Sequence, residues 1–88
     1  MSAWLAEVRV MLKRSVNDPQ GLSIRKALRT LAFEVEDVRA GKLIQVRLEA
    51  DNREAAEAAV TSMCDQLLAN PVIETFEFSL HEAPARVP

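Results

Sequence analysis

The sequence predicts an α+β domain of the split βαβ type, an antiparallel sheet with two helices on one face. Three observations support this class. The 88 residues fit one domain, segments of strand-like alternation and helix-like periodicity follow one another, and Pro, Gly and Asn residues mark several boundaries between them. The predicted order is strand, helix, strand, strand, helix, strand. We expect one domain over residues 1–82 and a flexible tail over residues 83–88.

The first strand and helix are predicted from residues 4–31. Apolar and polar residues alternate between Trp4 and Lys13, as in a strand with one buried face. Leu5 and Met11 lie on the other face, which suggests that a partner covers part of it. Asp18 suits an N-cap and Pro19 the first helical position. The helix then extends to Leu31, with an apolar stripe formed by Ile24, Ala27, Leu28 and Leu31.

A hairpin is predicted in the middle of the chain. Val35–Arg39 is a short strand candidate, Ala40–Gly41 forms the turn, and Leu43–Ala50 alternates clearly.

The second helix follows a cap at Asp51 or Asn52 and ends before Pro71. Its apolar stripe comprises Ala56, Ala59, Val60, Met63, Leu67 and Leu68. The last strand, Val72–Leu80, presents its inner face through Phe76, Phe78 and Leu80.

Composition excludes several classes of protein. The net charge of −2 gives no general attraction to nucleic acid or membranes. A single cysteine cannot form an internal disulfide, which favours an intracellular protein. No segment reaches the roughly 20 apolar residues of a membrane span, and no signal peptide is evident. We therefore expect a cytoplasmic protein.

The chain carries no recognisable catalytic set. Cys64 lies at the edge of the second helix's apolar stripe and is interpreted as a small buried hydrophobe. His81, beside Glu82, is interpreted as a surface residue. One cysteine and one histidine do not make a four-ligand zinc site, and two glycines do not make a phosphate-binding loop. RNA binding is disfavoured because the phenylalanines of the last strand share its core face.

Two loop segments are candidate binding sites. The first is the helix entry, where free backbone N–H groups can bind an anion or a carbonyl. The second is the turn before the middle strand. Alternatively, both are only structural turns. The predicted partner-binding residues are Asp18, Pro19, Gln20, Gly21, Arg39, Gly41 and Lys42.

Three segments together resemble one known family. They are DPQG at residues 18–21, VRAGK at 38–42 and MCDQLLANPVIE at 63–74. In order and spacing, residues 6–80 resemble the PurS small subunit of phosphoribosylformylglycinamidine synthase. Ala32 departs from the family, which often has glycine there. Phe76 replaces a frequent tyrosine, and residues 15–17 are not the usual lead-in to DPQG.

The resemblance implies a non-catalytic subunit in purine biosynthesis. Such subunits form dimers that associate further, assemble a glutaminase with a large synthetase subunit, and help ammonia pass between them. The resemblance also implies that this chain binds no cofactor, and that the synthetase uses ATP and Mg. Two alternatives stay open: a ferredoxin-like regulatory domain that binds small molecules, and a stand-alone enzyme of ferredoxin-like fold.

Overall fold

Antiparallel strands and helices alternate in the computed structural model, which describes residues 2–83. The elements are β1 (Ser2–Leu12), α1 (Pro19–Thr30), β2 (Gly41–Ala50), α2 (Arg53–Met63), a π-helical extension (Cys64–Leu68) and β3 (Glu74–Glu82). The sheet has the order β2-β1-β3, with β1 antiparallel to both neighbours. The predicted α+β class and antiparallel sheet are confirmed.

The core follows from the alternation in β1. Val8 lies in register with Ile44 of β2 and Phe78 of β3. Val8 and Val10 are almost completely buried, because one face of the central strand is covered. The predicted inward orientation of the β3 phenylalanines is thereby confirmed.

Helix α2 provides that cover. Its residues Ala56 and Val60, followed by Cys64, have no exposed surface. Asn52 is the N-cap, and its side-chain oxygen accepts a hydrogen bond from the backbone N–H of Ala55 at 2.8 Å. The α2 stripe therefore packs on the sheet as the periodicity predicts, as far as Cys64.

Beyond Cys64 the helix changes geometry. The N–H of Ala69 donates to the carbonyl of Cys64 at 3.1 Å, an i to i+5 bond. The wider turn leaves Leu68 packed against the core and Leu67 82% exposed. The prediction that Leu67 belongs to the buried stripe is wrong, because it assumed an uninterrupted α-helical period.

The predicted strand at Val35–Arg39 does not form, and neither does the hairpin around Gly41. Side chains of α1 occupy backbone acceptors of this segment instead. Arg25 donates to the carbonyl of Glu36 at 2.9 Å, and Arg29 donates to the carbonyl of Val35 at 3.1 Å. Gly41 begins β2 and pairs with Met11.

Helix α1 leaves most of its apolar stripe uncovered. Gly21 is its only buried residue, whereas Ile24 and Leu31 are exposed. The radius of gyration is 16.8 Å, against about 12 Å expected for a compact domain of this length. The chain is therefore extended, with α1 lying against its own chain chiefly through its N-terminal turn and its arginines.

The predicted tail begins at the last residue that the structure describes. Ala83, at the start of the predicted tail, donates its N–H to the carbonyl of Ala3 at 2.9 Å. Residues 84–88 of that tail lie outside the described residues.

Within residues 2–83, neither helix has the length and hydropathy required to cross a membrane.

Candidate partner-binding site

Asp18 joins the two predicted binding segments. One oxygen of its carboxylate accepts a hydrogen bond from the backbone N–H of Gly21 at 3.0 Å, as an N-cap does. The other oxygen accepts from the backbone N–H of Ala40 at 2.8 Å. The structure thus brings residues 18–21 and 39–42 together through a single side chain.

The environment of Asp18 favours its charged form. Hydrogen bonds from Gly21 and Ala40, helped by the nearby Arg39 charge, hold the pKa of the carboxyl below its ordinary value of 3.8. Burial opposes this shift, since the residue is only 5% exposed. The donors prevail, and Asp18 is an ionised structural link at neutral pH.

The two glycines permit close contacts within the chain. A Cβ atom on Gly21 would collide with the carbonyl oxygen of Val38 and the carboxylate of Asp18. A Cβ atom on Gly41 would collide with the Met11 sulfur and the Val10 carbonyl oxygen. Both glycines therefore have a structural role that is sufficient to explain them.

Arg39 supports the loop between β1 and α1. Its Nη2 donates to the carbonyl oxygens of Lys13 at 3.0 Å and Val16 at 3.1 Å. These bonds span more than twenty residues of sequence and hold the loop that leads into Asp18. The Arg39 guanidinium is thus hydrogen-bonded within its own chain.

A small cleft lies between the α1 N-terminus and the starts of β2 and β3. Its volume is about 250 Å³. The predicted residues Asp18, Gln20, Gly41 and Lys42 line it, together with Val10, Leu12, Ala40 and Glu74. Of the other predicted residues, Pro19 is exposed beside the cleft, Gly21 is buried, and Arg39 lines the adjoining depression.

Glu74 is the charged cleft residue that is not among the predicted binding residues. One of its carboxylate oxygens lies 3.9 Å from Nζ of Lys42, and the other accepts the backbone N–H of Asn70 at 2.7 Å. Its side chain is only 16% exposed. The sequence signal for Glu74 is its place in the LLANPVIE segment. Its proximity to Lys42, however, depends on the pairing of β2 and β3 with β1.

The arrangement is suited to binding. Burial raises the pKa of the Cys64 thiol, which disfavours the reactive thiolate. His81 lies on the opposite face of the sheet, where its Nε2 is 3.8 Å from Glu7. Among residues 2–83, no cluster of three or more His, Cys, Asp or Glu side chains is placed to hold a metal. The cleft itself offers carboxylates, an ammonium group and an amide, which are able to accept or donate hydrogen bonds.

Comparisons with known proteins agree over almost the whole chain. Residues 5–82 match the family model PurS, phosphoribosylformylglycinamidine (FGAM) synthase. The chain is similar to the PurS subunit of Bacillus subtilis, with 41% identity over 91% of this chain and 95% of the relative. It is also similar to the PurS subunit of Archaeoglobus fulgidus, with 42% identity over 89% and 99% of the two chains.

Solved structures show the same fold. A Thermus thermophilus PurS structure superimposes with a TM-score of 0.85 at 36% identity, covering 93% of this chain and 99% of that one. A chain in the structure of PurLQS from Thermotoga maritima superimposes with a TM-score of 0.85 at 34% identity, covering 92% and 100%. The chain therefore belongs to the PurS family of phosphoribosylformylglycinamidine synthase subunits.

Proposed function

We propose that this chain assembles the glutaminase and the large synthetase subunit of phosphoribosylformylglycinamidine synthase and assists ammonia transfer between them. The complex converts formylglycinamide ribonucleotide, glutamine and ATP to formylglycinamidine ribonucleotide, glutamate, ADP and phosphate in the cytoplasm. The match to the PurS family over residues 5–82 carries this proposal. A similar chain solved as part of PurLQS from Thermotoga maritima supports a role in a heteromeric assembly.

In this proposal the chain contributes binding and no catalytic group. ATP and Mg belong to the synthetase partner, and this chain binds no cofactor of its own. The cleft supports this division. Asp18 accepts a hydrogen bond from the backbone N–H of Ala40, and Lys42 forms an ion pair with Glu74. Such a pre-organised polar surface positions a partner with little loss of side-chain freedom.

The exposed stripe of α1 supports a homodimer, which can associate further to a tetramer. Ile24 and Leu31 of this stripe are 39% and 68% exposed, and Phe33, just after the helix, is 57% exposed. Exposed apolar surface of this kind is typical of an interface that is covered by an obligate partner. A second copy of the chain covers this apolar surface, and such a dimer explains why the single chain is extended.

A ferredoxin-like regulatory domain that binds small molecules is the main alternative. The family match over residues 5–82 does not favour it.

Reconstitution tests the proposal. Purified glutaminase and synthetase are assayed for glutamine-dependent product formation with and without this chain, and separately with ammonia as the nitrogen source. We expect the chain to be needed for glutamine-dependent turnover and to matter much less with ammonia. Equal glutamine-dependent rates without the chain would overturn the proposal.

A further inference from the structure

A positively charged depression lies where β1 ends and β3 begins. Its volume is about 420 Å³. The residues that line it are Met11, Leu12, Lys13, Arg14, Arg39 and Thr75. Three of these six side chains are cations and none is an acid. A concave surface with charges of one sign attracts ligands of the opposite charge. This surface, called the basic depression below, is therefore suited to an anion.

The Arg39 side chain is held in place beside the basic depression. It is half-buried, and its Nη2 donates to the carbonyl oxygens of Lys13 and Val16. The N–H groups on its Nε and Nη1 have no hydrogen-bond partner among residues 2–83. A guanidinium whose position is already fixed loses little side-chain freedom when it binds an anion.

Lys13 and Arg39 also lack a carboxylate partner. Neither forms an ion pair within the part of the chain that the structure describes. Asp18 is near enough to Arg39 for their charges to interact, but both of its oxygens already accept backbone N–H groups. Both cations are half-buried. Because partial burial of a charge is unfavourable unless an opposite charge compensates it, the two cations favour an anion from outside the chain.

Arg14 supplies the third charge at little cost. Its pair with Asp37 is long, at 3.8 Å, and the two side chains are 90% and 63% exposed. Such exposed pairs contribute little to stability, so Arg14 is free to turn from Asp37 to a ligand. Thr75, across the depression on β3, adds a hydroxyl that donates a hydrogen bond.

The backbone around Lys13 is ordered as well. The N–H of Lys13 donates to the carbonyl of Ile73 at 2.8 Å, and the N–H of Val16 donates to the carbonyl of Lys13 at 2.9 Å. These bonds connect the end of β1 to the residue before β3 and tighten the turn that follows β1. The donors of the basic depression therefore belong to a chain segment whose position is set before any ligand binds.

We infer that the basic depression binds a phosphate group, either the free inorganic ion or the phosphate ester of a small molecule. An ammonium group, two guanidinium groups and a hydroxyl group surround the depression, and a tetrahedral oxyanion presents acceptor oxygens in all of these directions. Phosphate also carries a charge of about −1.5 to −2 at neutral pH, which matches three cations better than the single charge of a carboxylate. The inference does not depend on the assembly role proposed above.

The test is a calorimetric titration of the full-length chain at constant ionic strength. Inorganic phosphate and ribose 5-phosphate are the two probes, and acetate is the carboxylate for comparison. We expect saturable binding of phosphate to the wild type. Lys13→Gln should bind at least tenfold more weakly, because it removes a charged donor from a half-buried site. Arg14→Gln, a change at an exposed side chain, serves as the second variant if Lys13→Gln melts early.

Lys26→Gln is the matched control. It makes the same chemical change at an exposed position of α1 that does not line the basic depression, so it should keep the wild-type affinity. The probe that binds more tightly identifies the source of the phosphate group, and either result supports the inference.

Three results would overturn the inference. The first is a wild-type chain without saturable phosphate binding. The second is wild-type affinity in both Lys13→Gln and Arg14→Gln, which would place the bound ion elsewhere. The third is acetate binding as tightly as phosphate, which would assign the basic depression to a carboxylate. None of these results bears on the proposed function, which the reconstitution assay tests separately.

Discussion

Replacing Ala32 by glycine should stabilise the chain. Ala32 has a φ of 72°, and it is the one described non-glycine residue with positive φ. It follows α1 in a Schellman arrangement, where the N–H of Phe33 donates to the carbonyl of Leu28 and the N–H of Ala32 donates to that of Arg29, both at 3.0 Å. These bonds hold the residue in the left-handed region that glycine adopts without a Cβ clash.

The size of the effect follows from two opposing terms. A side chain in the left-handed region destabilises the folded state by roughly 1–2 kcal/mol. Glycine also makes the unfolded chain more flexible, which lowers the free energy of unfolding by about 0.4–1 kcal/mol. The net stabilisation should be about 0.5–1 kcal/mol. For a domain of this size that corresponds to a rise in melting temperature of about 2–8 °C.

Thermal and urea unfolding measure this change, at one fixed chain concentration because association also contributes to stability. Ala58→Gly is the control, since it makes the same chemical change at an exposed position inside α2. There glycine should destabilise by about 1 kcal/mol. If Ala32→Gly were neutral or destabilising while the control behaved as expected, the assignment of strain to Ala32 would be wrong.

Three further predictions concern the cleft and the core. Gln20→Ala or Lys42→Ala should weaken binding of the synthetase subunit about tenfold or more, since an unpaired group at a desolvated interface costs roughly 1–3 kcal/mol; a shifted melt with unchanged binding would instead make these residues purely structural. Cys64→Ala should leave glutamine-dependent turnover of the reconstituted complex nearly intact with a modest loss of stability, and a large loss of turnover in a folded complex would contradict the interpretation of Cys64 as a buried hydrophobe. Asp18 has a lowered pKa, so its contribution to stability is complete above pH 3.8 and is lost as the pH falls through its folded-state pKa. Acid unfolding of Asp18→Asn should lack that component, and an unchanged pH profile would refute the link.

Much of the fold was predictable because its signals are local. The alternation of β1 and the Asp18-Pro19 helix start depend on neighbouring residues only, and both predictions were confirmed. The strand expected at Val35–Arg39 was wrong for the opposite reason. Its backbone carbonyls bind the side chains of Arg25 and Arg29, which pattern analysis does not relate to it.

The candidate site shows the same division. Turn chemistry and the family motifs point to its loop residues. No local pattern points to Glu74, because Glu74 reaches Lys42 only through the pairing of β2 and β3 with β1. The seven predicted residues remain a prediction as binding residues. Four of them line one cleft.

The sequence by itself determined the α+β class, the order of most elements and the family, since periodicity, capping residues and motif spacing are written along the chain. The tertiary structure alone decided that Asp18 joins Gly21 to Ala40, that Leu67 turns outward, and that the stripe of α1 stays uncovered within one chain. The Asp18–Ala40 bond joins residues 22 positions apart, and the exposure of α1 depends on where the helix lies relative to the sheet. The bond between Ala69 and Cys64 that turns Leu67 outward is local, but it departs from the α-helical period on which the sequence prediction relies.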